Sequence, residues 1–596
     1  MKQRFISIIL LSGFILSGTI AEAQNKIDPT VEIITDYQGK VAEADRIGLA
    51  PTADSLIVAK PNFAYQTLSP ILNNKFTMQP IPAARMDIPT NLHDGRLGYF
   101  RGSLSYPFTP DINFYLNTYF RGNTYFNLYF NHHSFFGKAP LYKDAPQTIA
   151  PIPSEIRADN SNNRVGVALQ HFWDKVGINI NAAYENRSLI YHGQDTLLLK
   201  ENAGADYINN ISDNSYMRDH HSQTFHIIQT GLSLHSVNRD DNHTQFKIDV
   251  NFDYIKETAH IESFNPTSQS LLGAKFWLNH NLTDKHGIDV ELGVNAYNHF
   301  NSSALSDVLF YIAPCYQYSN EGLLFTAGIK FEGVNSNNNF AVNVYPKIAV
   351  SYKLEDWFIP YASVSGGTRL NNYEKIVAEN PYIMPGTEVI NSRYLLEFQG
   401  GVRGSINPYL SYQFNVSYSG IDSMYFFINS DKPLFNDGIA SGPLRSNFEA
   451  VYDNIKLLTF SGSISSKLGA FEALIKMQYY HYMLNDDNKA WHRPNLEFGM
   501  NLRYTIMKNF ILNIDGYFRG ETPVGTLVPL NVSPFYAPLT TTTPSFFNLG
   551  AMAEYRINQQ ISVFIQASNI LNNNYQQYYL YYNPGMAIGG GLSVVF

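Results

Sequence analysis

The sequence is poor in cysteine, in charged residues and in long apolar runs. Its 596 residues hold one cysteine, Cys315, so no disulfide framework can form within one chain. Charged residues make up 15% of the chain and the net charge is −8, which argues against binding of nucleic acid or anionic lipid headgroups through a global field. Beyond residue 23, no apolar run reaches the length of a membrane-spanning helix. Cys315 lies in a strand-like pattern, Y-I-A-P-C-Y-Q-Y, and its side chain is predicted to have a packing role rather than to be a reactive thiol.

Aromatic residues, by contrast, are abundant. The chain has 41 Tyr and 40 Phe and is 14% aromatic, yet its mean hydropathy is only −0.20. A transmembrane β-barrel needs apolar residues only at alternate positions, together with girdles of aromatic residues at both membrane interfaces. High aromatic content with modest hydropathy therefore favours membrane-spanning strands.

Segments of alternating polarity follow one another from Leu97 onward. In 245–254, Phe, Ile, Val, Phe and Tyr alternate with Gln, Lys, Asp, Asn and Asp, and 411–419 alternates in the same way. Such a period of 2 places one set of side chains on each face of a strand. A buried sheet of a soluble protein would alternate as well, so the lengths of the connections must distinguish the two folds.

The connections alternate between short and long. The short ones lie at 121–122, 174–175, 238–241, 283–284, 320–322, 355–356, 407–408, 469–470, 508–509 and 558–560; the long ones include 134–162, 188–222, 370–391, 421–454 and 521–544. Outer-membrane barrels have short periplasmic turns and long outer loops, so this alternation predicts about 10 turns, about 11 loops and about 22 strands. The predicted fold is all-β, a transmembrane up-and-down antiparallel β-barrel.

The last stretch, Met586 to Phe596, reads M-A-I-G-G-G-L-S-V-V-F and also alternates. A strand left unpaired would expose its backbone groups, so we expect it to close a barrel against the first strand. It resembles the assembly signal of bacterial outer-membrane proteins, with Gly591, Val594 and Phe596 at the glycine, hydrophobic and terminal aromatic places. Gly589 departs from that pattern, where a polar residue is usual. Together with the preceding hairpin from Ile561, it resembles the end of TonB-dependent receptors.

The N-terminal part of the chain is read as three pieces. Residues 1–23 have a basic start, a short apolar run and the small-x-small site Ala21-Glu22-Ala23, which predicts a secretory signal peptide. Residues 24–94 contain scattered prolines and no sustained alternation, and are predicted to be a periplasmic or lumenal extension. The barrel is predicted over 95–596. The resemblance implies a plug domain before the barrel, but the roughly 70 residues of the extension are too few for one.

Near the start of that extension, D-P-T-V-E-I-I-T from Asp28 resembles the short motif by which TonB pairs with its receptors. The resemblance implies that Thr30, Val31, Ile33 and Ile34 form a TonB-contacting strand. A local strand without a partner is the alternative interpretation, because β-branched runs are common.

Two further groups of side chains are candidates for binding. Histidines cluster at His132-His133 and around His220, but neighbouring residues of a strand point to opposite faces, so no metal site is predicted. Aromatic residues cluster in the last long connection and are candidate extracellular contacts for sugars or a protein partner: Tyr575, Tyr578, Tyr579, Tyr581 and Tyr582. An outer aromatic girdle is the favoured interpretation of the same residues.

The leading functional hypothesis is a TonB-dependent receptor-like transport or uptake channel in the outer membrane of a Gram-negative-type bacterium. Its lumen would be closed by loops, by the N-terminal segment or by a partner. The alternative is a non-transporting membrane platform for surface lipoproteins or outer-membrane assembly machinery. No G-x-S-x-G or H-E-x-x-H motif is present, so no enzyme and no cofactor are predicted. The expected partners are outer-membrane lipid, the barrel assembly machinery and a surface lipoprotein or periplasmic protein.

Overall fold

The computed structural model of the protein describes residues 97–120, 123–141, 154–194, 212–237, 244–259, 268–298, 306–336, 339–387, 389–430, 447–484, 489–507, 509–525 and 541–596. The signal-peptide, extension and TonB-strand predictions therefore lie outside the described residues. The turns predicted at 121–122 and 238–241, and Lys508, lie outside them as well.

The described residues form 28 strands and two short helices. The strands are β1 (Gly98–Tyr106), β2 (Thr109–Phe120), β3 (Thr124–Phe135), β4 (Lys138–Pro140), β5 (Glu155–Arg157), β6 (Asn160–Phe172), β7 (Val176–Ile190), β8 (Ser222–Ser236), β9 (Thr244–Ala259), β10 (Ser268–Asn281), β11 (His286–Asn298), β12 (Ser306–Asn320), β13 (Leu323–Ser336), β14 (Asn339–Tyr352), β15 (Ile359–Arg369), β16 (Ser392–Asn407), β17 (Leu410–Asn429), β18 (Phe448–Leu468), β19 (Phe471–Leu484), β20 (Leu496–Ile506), β21 (Phe510–Arg519), β22 (Thr522–Val524), β23 (Thr541–Thr543), β24 (Phe546–Arg556), β25 (Ile561–Ser568), β26 (Gln576–Tyr578), β27 (Tyr581–Tyr582) and β28 (Ala587–Val595). The helices are α1 (Asn214–His220) and α2 (Tyr373–Glu379).

Twenty-two of these strands form one closed antiparallel barrel, as predicted from the sequence. Each barrel strand pairs with the next barrel strand along the chain, and the last, β28, pairs with the first, β1. Three two-stranded ribbons, β4 with β5, β22 with β23 and β26 with β27, lie in the connections. Because every barrel strand has two neighbours, the sheet has no free edge.

The closing junction is built by the last strand, as expected. Tyr99 pairs with Val595 and Tyr106 with Ile588 at the two ends of the junction. The backbone N–H of Phe596 donates to the carbonyl of Gly98 at 3.0 Å, and the N–H of Gly98 donates back to Phe596 at 2.8 Å. The closure is therefore a regular antiparallel ladder.

The predicted turns that lie within the described residues fall between barrel strands that pair as neighbours, and they lie at one end of the barrel, here called the turn end. The opposite, loop end carries long connections such as 370–391 and 569–586. One described loop-end connection differs from the predicted pattern, because 107–108 is only two residues long. There β1 and β2 meet in a tight hairpin, which needs no longer loop.

The outward face of the barrel is an apolar band. Val250, Leu292, Phe398 and Val416 are each more than a third exposed, whereas their neighbours in sequence turn to the lumen. Exposed apolar side chains on a closed barrel require lipid around them. The protein is therefore an outer-membrane β-barrel. Neither of the helices in the described ranges is long and apolar enough to cross a membrane.

The single cysteine has the packing role predicted for it. Cys315 lies in β12, is 3% exposed, and its Sγ lies 3.8 Å from the carbonyl oxygen of Ala313. The neighbouring strand places Gly328 against it, and a Cβ there would lie 2.5 Å from the sulfur. A side chain at Gly328 would therefore clash with Cys315.

Candidate functional site

The largest buried cluster lies at the loop end of the barrel. Its members come from distant parts of the chain and are called the mouth cluster: Leu189, Tyr191, Phe225, Ile227, Ile255, Tyr373, Ile376, Val377, Ile383, Val389, Tyr425, Phe427, Phe448, Tyr578 and Tyr581. A barrel of this size leaves a lumen too wide for wall side chains alone to fill. The filling comes from loops that fold inward.

The centre of the cluster is the connection 370–391 between β15 and β16. It contains α2, which begins after Asn372, whose side chain accepts a hydrogen bond from the N–H of Lys375 at 2.9 Å. Asparagine at this cap position and Glu374 in the first turn favour helix initiation. One face of the helix buries Tyr373, Ile376 and Val377. The loop is thus a structured element with its own apolar face.

One end of this connection is fixed to the wall formed by β9 and β10. The hydroxyl of Tyr373 donates to Glu257 Oε2 at 2.5 Å, and its backbone N–H donates to Gln269 Oε1 at 2.7 Å. The N–H of Gly386 donates to the other oxygen of Glu257 at 3.1 Å. Charge-assisted bonds to one buried carboxylate fix two turns of the loop at once.

The other end is fixed to β17 and β18. The carboxylate of Glu379 accepts from the hydroxyl of Tyr425 and forms an ion pair with Arg493. The N–H of Met384 donates to the carbonyl of Phe448 at 2.7 Å. Between β9 and β17 lie the seven barrel strands β10 to β16 on one side and thirteen on the other, so these anchors are more than a third of the circumference of the barrel apart. The connection 370–391 therefore crosses the lumen.

Two further loops pack on this crossing segment. The rings of Tyr382 and Tyr581 are stacked with centroids 3.6 Å apart, and Tyr578 lies edge-on to Phe448 at 5.7 Å. The hydroxyl of Tyr191 donates to the carbonyl of Ile383 at 2.7 Å. Offset and edge-on aromatic pairs add stabilisation beyond the area they bury. Loops from three separate hairpins thus join in one layer.

Burial sets the protonation of the two histidines in this layer. Burial lowers the pKa of His192 to about 4, and that of His492 likewise to about 4, with Arg519 and Arg493 adding to the effect at His492. His492 Nδ1 donates to the carbonyl oxygen of Phe427 at 2.7 Å. Both rings are neutral near pH 7, as a layer that excludes water requires.

Beneath the layer, polar side chains line the lumen as the alternation predicted. Arg164 on β6 donates to Glu185 at 3.2 Å and to Gln229 at 2.8 Å. Gln229 in turn donates to Glu374 of α2 at 2.8 Å. The crossing loop is therefore hydrogen-bonded to the polar wall as well as packed on the apolar one.

The predicted extracellular tyrosines need a correction. Tyr575, Tyr578 and Tyr581 are only 8%, 6% and 4% exposed, so they do not present their rings to the outside. Tyr578 and Tyr581 belong to the mouth cluster, and Tyr575 stacks on Phe546 with centroids 4.0 Å apart. They turn inward because the wide mouth of the barrel leaves a space that the apolar side chains of the mouth cluster fill. Tyr579 and Tyr582 are partly exposed, and for them an outside contact remains a prediction.

The predicted assembly-signal residues lie in the closing junction. A Cβ on Gly591 would lie 2.2 Å from the carbonyl oxygen of Gly102, so this position accepts only glycine without movement of the backbone. Val594 pairs with Phe100 on one side and with Ile561 on the other. This placement gives the residues a role in closure, while their role in recognition by assembly machinery remains a prediction.

The histidine pair separates between the two faces of β3. His133 faces the lumen and lies 3.2 Å from Asp111, whereas His132 faces outward and contacts Asn163. Among the described residues, no three His, Cys, Asp or Glu side chains are grouped to hold a metal ion.

Glu379, Arg493 and Tyr373 are anchors that the sequence alone did not predict. The available signal was N-N-Y-E-K-I-V-A-E from Asn371, a cap residue followed by a short helical pattern inside a long connection. A helix within a predicted outer loop indicates a loop with its own packing face.

No protein-family model and no curated protein matches the chain. Solved structures do. The FrpB iron transporter from Neisseria meningitidis (F3-3 variant) is similar with a TM-score of 0.60 and 10% identity, over 85% of this chain and 82% of that one. A mutant of the ferric enterobactin receptor PfeA from Pseudomonas aeruginosa is similar with a TM-score of 0.59 and 11% identity, over 84% of this chain and 80% of that one. The siderophore receptor PirA from Acinetobacter baumannii is similar with a TM-score of 0.58 and 12% identity, over 84% of this chain and 80% of that one.

These similar proteins are TonB-dependent receptors and transporters rather than enzymes, and the chain has their barrel fold. At such low identity the likeness concerns the fold, and residues that bind cargo in those proteins are not transferred to this chain.

Proposed function

We propose that the protein is an outer-membrane uptake barrel of the TonB-dependent receptor type whose loop end is closed by its own loops. The observation that supports this is the course of 370–391, which is anchored to Glu257 on one wall and through Glu379 to Arg493 and Tyr425 near the other. A wide barrel in a membrane must be closed when no cargo passes, because an open lumen would abolish the permeability barrier.

Opening such a closure requires the loop to leave one wall. The apolar side of α2 is held by aromatic contacts, which are not directional, whereas Glu379 is held by two specific partners. Because the connection is covalently joined to β15 and β16, beside β17, it can clear the lumen only by leaving Glu257 on the β9 side. The loop would move as a flap hinged at β15 and β16, and loss of the Glu379 contacts would loosen the part of the flap next to β17.

Single-channel conductance in planar bilayers tests the proposal. The wild-type protein should be closed at rest, and replacement of 373–386 by a Gly-Ser linker of equal length should give a large, steady conductance. As a matched control, Lys467→Ala with Glu472→Ala removes an exposed ion pair at the turn end and should leave the protein closed. An unchanged, closed state after loop replacement would contradict closure by this loop.

The alternative function is a non-transporting platform for surface lipoproteins or assembly machinery. The number of anchors on both walls supports it, since a fixed lid suits a barrel that never opens. A platform would show no solute-dependent opening under any condition, whereas an uptake barrel must open for some solute. Co-purification with a lipoprotein from the outer membrane would favour the platform.

Energy coupling through TonB is a separate part of the proposal. It concerns Thr30, Val31, Ile33 and Ile34, which resemble a TonB-pairing strand. Proline at Val31 and Ile33 would remove the N–H groups that a paired strand donates. Loss of uptake in this double variant, with normal barrel assembly, is the expected result if TonB pulls on the segment. Unchanged uptake would contradict a TonB contact there.

A further inference from the structure

A row of polar side chains crosses the outward face of four neighbouring strands near the loop end. His132 on β3 pairs with Asn163 on β6, Asn163 with Asn186 on β7, and Asn186 with His226 on β8. Toward the turn end, the next outward residues of these strands are Phe130, Val165, Tyr184 and Ile228, all between 37% and 41% exposed. The row thus marks the edge of the lipid-facing band, where the membrane changes from hydrocarbon to its polar interface.

Three residues of this region form a continuous chain of hydrogen bonds. Ser134 Oγ lies 2.9 Å from His132 Nε2, and His132 Nδ1 lies 2.6 Å from Asn163 Oδ1. The amide nitrogen of Asn163 donates to Ser161 Oγ at 3.1 Å, which directs the amide oxygen to the imidazole. The Nδ1 proton is therefore donated to Asn163, and Nε2 is left to accept the proton of the Ser134 hydroxyl.

We propose that Ser134, His132 and Asn163 form a serine-hydrolase site that cleaves acyl esters of lipids in the outer leaflet. A nucleophile bonded to a base, with the base held by a third group, is the arrangement that activates serine on unrelated folds, and asparagine serves as the third group in some of them. This inference is independent of transport, since the site is on the outside of the wall and the lumen is on the other side.

The reaction follows from the contacts. Nε2 of His132 takes the hydroxyl proton as Ser134 Oγ bonds to the carbonyl carbon of the ester. The bond from that carbon to the alcohol oxygen then breaks, and His132 returns the proton to the leaving alkoxide. Water next attacks the acyl-serine while His132 accepts its proton. Cleavage of the acyl bond to Oγ, with that proton returning to Oγ, yields a fatty acid, an alcohol and the free serine.

The substrate class follows from the position of the site. The ester groups of membrane lipids lie at the boundary between acyl chains and headgroups, which is the level of this polar row. Apolar surface below it, including Phe130 and Val165, suits the acyl chain of a bound lipid. Ser134 is fully buried, whereas His132 and Asn163 are partly exposed. The hydroxyl is thus shielded at rest, and acylation requires movement at the end of β3.

A fluorophosphonate probe tests the nucleophile, because it forms a stable bond only with an activated serine. The purified full-length protein in mixed lipid–detergent micelles should be labelled at Ser134. Ser134→Ala and His132→Ala should reduce labelling to background. The matched control is His133→Ala, which removes the lumen-facing neighbour of His132 and should keep the label.

Hydrolysis of a phospholipid with a fluorescent acyl chain separates catalysis from structure. Asn163 is a positioning residue, so Asn163→Ala should lower kcat by on the order of 100-fold with little change in KM, and Asn163→Asp should restore most of the rate. A cold-gel mobility shift confirms that each variant forms the barrel. Folded wild-type protein without label and without hydrolysis would overturn the inference and leave a hydrogen-bond chain that only stabilises the strand ends.

Discussion

Phe596 stacks on Phe114 across the junction that closes the barrel, with ring centroids 6.4 Å apart and planes at 26°. Its ring also occupies the space beside Gly98, where a Cβ would lie 2.4 Å from Phe596 Cζ. The aromatic ring, the glycine and the backbone ladder between them form one interlocked corner of the junction.

Phe596→Ala should therefore weaken closure and lower the amount of barrel in the membrane. Because the ring is 45% exposed, we expect the free energy of unfolding to fall by about 1–2 kcal/mol, which is less than the loss expected for a fully buried phenylalanine. The measurement is the yield of heat-modifiable protein in outer-membrane fractions. Phe471→Ala is the control, since Phe471 is similarly exposed at the turn end but is not in the junction. Equal yields for both variants would contradict a special role of the terminal ring.

Val416→Arg should cost about 2–4 kcal/mol in unfolding experiments from lipid vesicles, because it places a charge on the lipid face near the middle of the band. Asn415→Arg, one residue away, turns to the polar lumen near Tyr361 and should cost little. Urea-unfolding midpoints compare the two. Similar losses would mean that the strand register differs from the one described.

Glu379→Ala should lower the free energy that holds the crossing loop in its closed position by about 2–3 kcal/mol. The reason is that Arg493 would lose its partner while remaining largely buried. Conductance should then show frequent openings in place of the closed state. Arg493→Ala should give a similar phenotype, and the double variant should be less than additive if the two residues act as a pair. Additive effects would contradict that coupling.

Acidification should destabilise the loop layer before it affects the wall. His192 and His492 bind a proton in the opened loops near their ordinary pKa of 6.5, but in the closed layer only near pH 4. Above pH 6.5 both states are neutral and nothing changes. As the pH falls from 6.5 to 4, stability is lost, up to about 3 kcal/mol per histidine, and no further below that range. Channel openings recorded from pH 7 to 4.5 measure this. The variants His192→Gln and His492→Gln should each flatten the dependence, and His280→Gln at the turn end should not.

Deleting residues 24–65 should leave conductance and barrel assembly unchanged if the loops close the lumen. The strands begin later, at Gly98, so the wall does not need this segment. Sensitivity to large antibiotics provides a second readout in cells. A rise in conductance or sensitivity would instead assign the closure to the N-terminal segment.

The wall could be predicted from the sequence because its information is local. Alternation in 245–254 and 411–419 assigns the two faces of a strand, and turn residues such as Asn407 and Gly469 mark where strands reverse. A strand with alternating polarity forms its hydrogen-bond ladder with the next strand along the chain. The number of barrel strands, 22, therefore follows from the number of turns.

The loop layer could not be predicted in this way, because its contacts join distant residues. Glu379 and Arg493 are 114 positions apart, and Tyr373 and Glu257 are 116 apart. Tyrosines in a long connection show the same pattern whether they face a partner or fill a lumen. Only the width of the barrel, a property of the whole wall, decides that Tyr578 and Tyr581 turn inward.

The crossing of the lumen by 370–391 divides the molecule into two cooperative units. Its anchors on β9, β17 and the 485–495 connection exist only when those strands are already in place, so the segment must dock after most of the wall has formed. Conversely, it can detach without breaking any ladder between strands. Amide protons of α2 should therefore exchange with solvent by a local opening of low free energy, while those of β9 and β17 exchange only when the wall itself unfolds.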